Sequence, residues 1–116
     1  VSCIGGLTEA KKVSGWCEAH YIDMMPHNPI GPVCTAATIH YAASINNFTW
    51  VEVVPTFNQG ATDVFPEMLA RTGPFYPLPA KPGLGVEFDE DAALKYPLKI
   101  YEHPHLKRPD GSYTNW

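Results

Sequence analysis

Apolar positions recur along the first half of the chain at two spacings. Leu7, Ala10, Val13 and Trp16-Cys17 return every three to four residues, which predicts a helix over about residues 8–20. Thr8 suits its N-cap, Glu9 lies in the first turn where the helix dipole favours a carboxylate, and Gly15 weakens its middle. Ala36, Ala37, Ile39, His40, Ala42 and Ala43 carry a second helical pattern to about Ser44. Pro32 fits its first position, because the amide that proline lacks would be unpaired there anyway. Three runs show no such period and read as strands: residues 1–4, 21–25 and 48–54. Gly5-Gly6, Pro26 and Pro55 bound them. The order β-α-β-α-β with short loops implies parallel strands joined by right-handed crossovers.

After Pro55 the periodicity loosens. Residues 61–71 have room for a short helix interrupted by Pro66, residues 86–88 for one short strand, and residues 90–96 for about two turns of helix. Between these, Gly73-Pro74, Pro77, Pro79 and Pro82-Gly83 mark an extended linker. Nine of the twelve prolines follow Thr49, so this half needs another surface to lie against. The parallel strands raise the same demand. They are apolar nearly throughout, and parallel sheets are buried on both faces. Of a small autonomous α/β domain and a piece of a larger fold, the second answers both demands.

Composition narrows the function classes. The chain has 116 residues, 45% hydrophobic and 17% charged, which is globular composition and sufficient for one domain. A formal net charge of −4 argues against binding nucleic acid through a general electrostatic footprint. No apolar run approaches the roughly 18 residues of a membrane span, and nothing resembles a signal peptide. Cys3, Cys17 and Cys34 are odd in number and show no paired spacing, as expected of free thiols in a reducing, cytoplasmic setting. Asn47-Phe48-Thr49 fits the glycosylation sequon, but its place at the entry to a buried strand argues against its use.

The chemistry centres on Met24-Met25-Pro26-His27-Asn28-Pro29-Ile30-Gly31-Pro32. A histidine between two prolines, at the carboxyl end of a strand and just before a helix, stands on a fixed backbone where α/β folds place their ligands. Histidine titrates near neutrality and suits general acid/base work. Glu52 is a lone carboxylate in the run Trp50-Val51-Glu52-Val53-Val54, costly to bury without a partner. Other candidates have plainer readings. His103-Pro104-His105 lacks a third ligand nearby, and Asp89-Glu90-Asp91 opens a helix where the dipole favours acid. His20 and His40 lie on helices as packing or surface residues, and Cys34 has a structural reading.

Gly5-Gly6-Leu7-Thr8-Glu9-Ala10-Lys11-Lys12, the Pro26–Val33 block and Trp50-Val51-Glu52 resemble the last barrel strands of the mandelate racemase branch of the enolase superfamily. Pro82-Gly83-Leu84-Gly85-Val86-Glu87, Arg108-Pro109-Asp110-Gly111-Ser112 and Trp116 are similar to the tail of that branch, nearest to acid-sugar dehydratases of the galactonate type. The resemblance implies an α/β fold, the C-terminal part of a (β/α)8 barrel, in which residues 1–4, 21–26 and 48–53 end strands six, seven and eight. Residues 1–71 would hold the last βα units, and residues 72–116 a tail returning to the α+β capping domain. A whole barrel needs about 250 residues, so the expected partners are the N-terminal remainder of the same enzyme, a sugar-acid substrate and further copies in a homo-oligomer.

The resemblance also implies roles. The α-proton beside the substrate carboxylate is removed to leave a magnesium-bound enediolate, and the strand-seven histidine protonates the departing β-hydroxyl. His27 matches that histidine, and Glu52 matches a strand-eight glutamate that stabilises the carboxylate side. Asn28 is expected to line the pocket as a substrate contact. The Mg2+ ligands, the base on the opposite face and an aspartate partnering the histidine would lie outside this chain, Asp23 being a structural polar group. A racemase or epimerase would use the same proton abstraction without loss of water. A non-catalytic α/β binding domain is the competing class.

Overall fold

In the computed structural model, residues 1–54, 62–100 and 106–114 are described. Three helices follow one another: α1 (Leu7–Ala19), α2 (Pro32–Ala43) and α3 (Glu90–Ala93). The first two pack together. On α1 the buried positions are Ala10 and Ser14, one turn apart, and on α2 they include Thr35, Ala36, Thr38 and Ile39. Small side chains at the contact let the two backbones approach closely.

α1 begins a residue before the expected start. Gly6, at φ 99°, occupies the N-cap with no side-chain hydrogen bond, and Thr8 lies inside the first turn instead of capping it. The Gly6 carbonyl accepts the Ala10 N–H at 3.0 Å. The C-terminal end closes in a Schellman arrangement. Ile22 N–H donates to the Cys17 carbonyl at 2.8 Å and Tyr21 N–H to the Glu18 carbonyl at 3.0 Å. Tyr21 therefore has a left-handed backbone, φ 57°, where glycine is the usual occupant. The expected strand at 21–25 thus loses its first residue to the helix cap. α2 opens as expected with Pro32 in its first turn, behind Gly31 at φ 111°.

The strands are the main correction. Among the described residues the parallel sheet is reduced to one bridge, Met24 with Phe48. Residues 1–4 form turns, with Gly5 N–H donating to Ser2 O at 3.2 Å and Gly6 N–H to Val1 O at 3.1 Å. Without a neighbouring strand, these backbone groups pair locally. Residues 62–71 hold turns and extended chain and no helix, and residues 86–88 form no strand. These two segments instead meet through single bonds, Glu87 N–H to Glu67 O and Asp89 N–H to Val64 O, both 2.9 Å. α3 is shorter than expected. Asp89 caps it by accepting the Ala92 N–H at 2.8 Å, as its acidic opening suggested.

The buried apolar set is small: Ala10, Ala36, Ile39, Tyr41, Val64 and Ala92. Trp16, Met25, Trp50 and Leu98 are exposed. Of these, Met25 and Trp50 belong to the apolar runs read as strands.

Candidate functional site

His27 follows directly after the short parallel contact. Met24 N–H donates to Asn47 O at 2.7 Å, and Thr49 N–H donates to Met24 O at 3.1 Å. The Asn47 side chain reinforces the junction by donating to the carbonyls of Ser14 (3.1 Å) and Ile22 (2.9 Å). An amide nitrogen committed in this way is not offered to a glycan at the sequon.

On the far side of His27, Asn28 turns inward. It is 1% exposed, and its Nδ2 donates to Thr35 Oγ1 at 2.8 Å. Thr35 Oγ1 in turn donates to Gly31 O at 2.9 Å. The loop carrying His27 is thus tied to the first turn of α2, while Asn28 Oδ1 is buried without a partner among the described residues. Pro26 and Asn28 are buried on either side of an exposed His27. The chain is held while the imidazole projects.

The imidazole meets Glu52. His27 Nδ1 and Glu52 Oε2 are in direct contact, joining two side chains that are 69% and 49% exposed. A pair this open to water adds little to stability, because solvent screens it. Its consequence is orientation: a carboxylate at Nδ1 favours the tautomer that carries a proton on that nitrogen. The structure brings together His27 and Glu52, and Asn28 beside His27 is buried against Thr35.

Neither of two clefts includes this pair. One of about 620 Å³ is lined by Val53, Phe65, Met68, Arg71 and neighbours. The other, about 560 Å³, lies between the Val1–Leu7 end and the start of α2. Among the described residues no three His, Cys, Asp or Glu side chains are grouped to hold a metal ion, so these residues do not form a magnesium site. His103 and His105 lie outside the described residues. No helix among those described is long and apolar enough to cross a membrane. Cys3, Cys17 and Cys34 are unpaired. The residue that sequence reasoning passed over is Thr35, whose spacing of seven from Asn28 gives no signal until the Gly31 turn folds one back on the other.

Residues 1–92 match the sequence profile of the enolase C-terminal domain-like family. The chain is 35% identical to a D-mannonate dehydratase from Caulobacter vibrioides over 97% of its own length and 28% of the relative's. It is 33% identical to a D-galactonate dehydratase from Pectobacterium atrosepticum, over 100% of this chain and 32% of that one. The structure superposes on that of an enolase from Agrobacterium radiobacter bound to sodium and L-malate, with TM-score 0.80, 30% identity and 94% of this chain covering 31% of that one. A structure from Burkholderia xenovorans assigned as an L-alanine-DL-glutamate epimerase, bound to magnesium and fumarate, gives TM-score 0.76 at 26% identity, over 82% of this chain and 24% of that one. The chain spans about a third of the length of the curated relatives it matches.

Proposed function

The chain belongs to the enolase C-terminal domain-like family, and from that premise we propose that it is the part of a sugar-acid dehydratase that carries the acid/base histidine, His27. The observation that carries the reading is the contact of His27 Nδ1 with the Glu52 carboxylate, on a loop anchored through Asn28.

The substrate class is an acid with hydroxyls on its α and β carbons. Loss of the α-proton to a base on the opposite face, outside this chain, leaves electrons to form a carbon–carbon double bond. As the β carbon–oxygen bond breaks, His27 gives its Nε2 proton to the leaving oxygen, which departs as water. The enol that remains rearranges to a 2-keto acid. A carboxylate holds the Nδ1 proton throughout, Glu52 in this structure and, by the resemblance, the aspartate outside this chain in the complete enzyme, so His27 passes from imidazolium to neutral imidazole. The family resemblance gives Glu52 a further role, on the carboxylate side of the substrate. In this reading Oδ1 of Asn28, without a partner among the described residues, is the group offered to substrate.

The described residues do not furnish a magnesium site, and none of these steps is routed through one. In this reading residues 1–71 belong to the barrel, residues 72–116 to the tail, and the missing walls of the site to the rest of the enzyme, in a cytoplasmic homo-oligomer. Likeness to the Burkholderia xenovorans structure supports an epimerase as second reading. One assay separates them. The complete enzyme is incubated with D-mannonate and D-galactonate in deuterated water. Formation of 2-keto acid supports the dehydratase. Deuterium at the α-carbon without loss of water supports the epimerase, and neither product on either acid refutes the dehydratase reading for this substrate pair.

A further inference from the structure

We infer that Pro26 sets the strand register that puts Glu52 on the same face as His27, which makes it a positioning residue for these two site residues; the inference rests on the reading of the site given above. In a regular parallel ladder, a residue's N–H bonds one position before its partner and its carbonyl accepts from one position after. Met24 does this around Phe48, bonding Asn47 O and Thr49 N. Two residues on, Pro26 should donate to Thr49 O and accept from Val51. Proline has no N–H, so the first bond cannot form. The Pro26 carbonyl accepts from Glu52 instead, at 3.1 Å.

A step of two residues on one strand, 24 to 26, is therefore matched by a step of three on the other, 49 to 52. That is the count of a β-bulge, one of the few places a sheet tolerates proline. The slip decides which side chain stands opposite His27. With the ladder in register, position 27 faces Val51. Advanced by one, it faces Glu52, the residue whose carboxylate meets Nδ1. Pro26 is buried, so its ring is fixed where the change of register occurs.

The test is made on the complete enzyme with two variants, each read by crystal structure and by kinetics. Pro26→Ala restores an N–H for Thr49 O. The expected result is that Val51 N–H replaces Glu52 N–H at the carbonyl of residue 26, that the Glu52 side chain turns away from the His27 face, and that kcat falls on the order of 10²-fold with KM nearly unchanged, as for a misplaced catalytic group. Deletion of Val51 with Pro26 retained removes the extra residue, so the Glu52 bond to residue 26 persists with its side chain on the His27 face, and kcat stays within about tenfold of the parent. The inference is overturned if Pro26→Ala keeps the Glu52 N–H bond, or if deletion of Val51 loses it. A register that moves while kcat does not would leave the slip standing and overturn the catalytic reading of the pair.

Discussion

Asn28 and Thr35 form a buried hydrogen bond, Nδ2 to Oγ1 at 2.8 Å, that joins the residue after the exposed histidine to the first turn of α2. Because the donor is 1% exposed, water does not replace the bond when it is removed. Asn28→Ala is expected to destabilise the complete enzyme by about 1–3 kcal/mol, the usual cost of unpairing a buried polar group. It should lower kcat through looser placement of His27. Urea denaturation and steady-state kinetics check both effects. Unchanged stability would mean that the loop is held by something else.

Tyr21 offers the opposite sign. Its left-handed backbone closes α1, and its side chain is 98% exposed. A non-glycine residue in that conformation costs roughly 1–2 kcal/mol, while glycine loses about 0.5–1 kcal/mol more in conformational freedom on folding. The balance favours Tyr21→Gly by about 0.5–1 kcal/mol. Thermal unfolding of the complete enzyme measures it. A loss of stability would show that the ring packs against another part of that enzyme.

The tail carries a pH-dependent contact. Tyr96 Oη donates to Asp63 Oδ2 at 2.8 Å. The bond holds the Asp63 carboxyl below its ordinary value of 3.8, and the same bond, with the nearby negative charge, raises the Tyr96 phenol above 10.0. A lowered acid contributes above its unfolded value and loses that contribution as pH falls through the folded one. A raised phenol contributes below 10.0 and loses it as pH rises further. The contact is therefore favourable between about pH 4 and pH 10. Asp63→Asn should return the Tyr96 titration, followed by ultraviolet absorbance, toward the ordinary tyrosine range. An unmoved titration would contradict the pairing.

How much of this was legible beforehand follows from what each element needs. α1 and α2 were expected at 8–20 and 32–44 and are found at Leu7–Ala19 and Pro32–Ala43, because helical period, Pro32 and the flanking glycines are local signals. A strand requires a neighbour. Residues 1–4 have none among the described residues and form turns, while the 21–25 and 48–54 runs keep a single bridge before Pro26 breaks the ladder. The meeting of His27 and Glu52 can be anticipated from the family resemblance. The one-residue slip that produces it cannot, since it depends on a hydrogen bond proline fails to make across a gap of more than twenty residues. Asn28 is expected to line the pocket next to His27, and the bond that anchors it has no sequence signal. Its amide finds a buried hydroxyl on α2.

The most direct test of the proton-transfer role is the turnover of His27→Asn in the complete enzyme, measured as 2-keto acid formed from the best sugar-acid substrate. Loss of a general acid predicts a fall in kcat of about 10²–10⁴-fold, with unfolding midpoint and circular dichroism unchanged. Turnover within a few-fold of the parent, on a variant shown to be folded, would contradict the account.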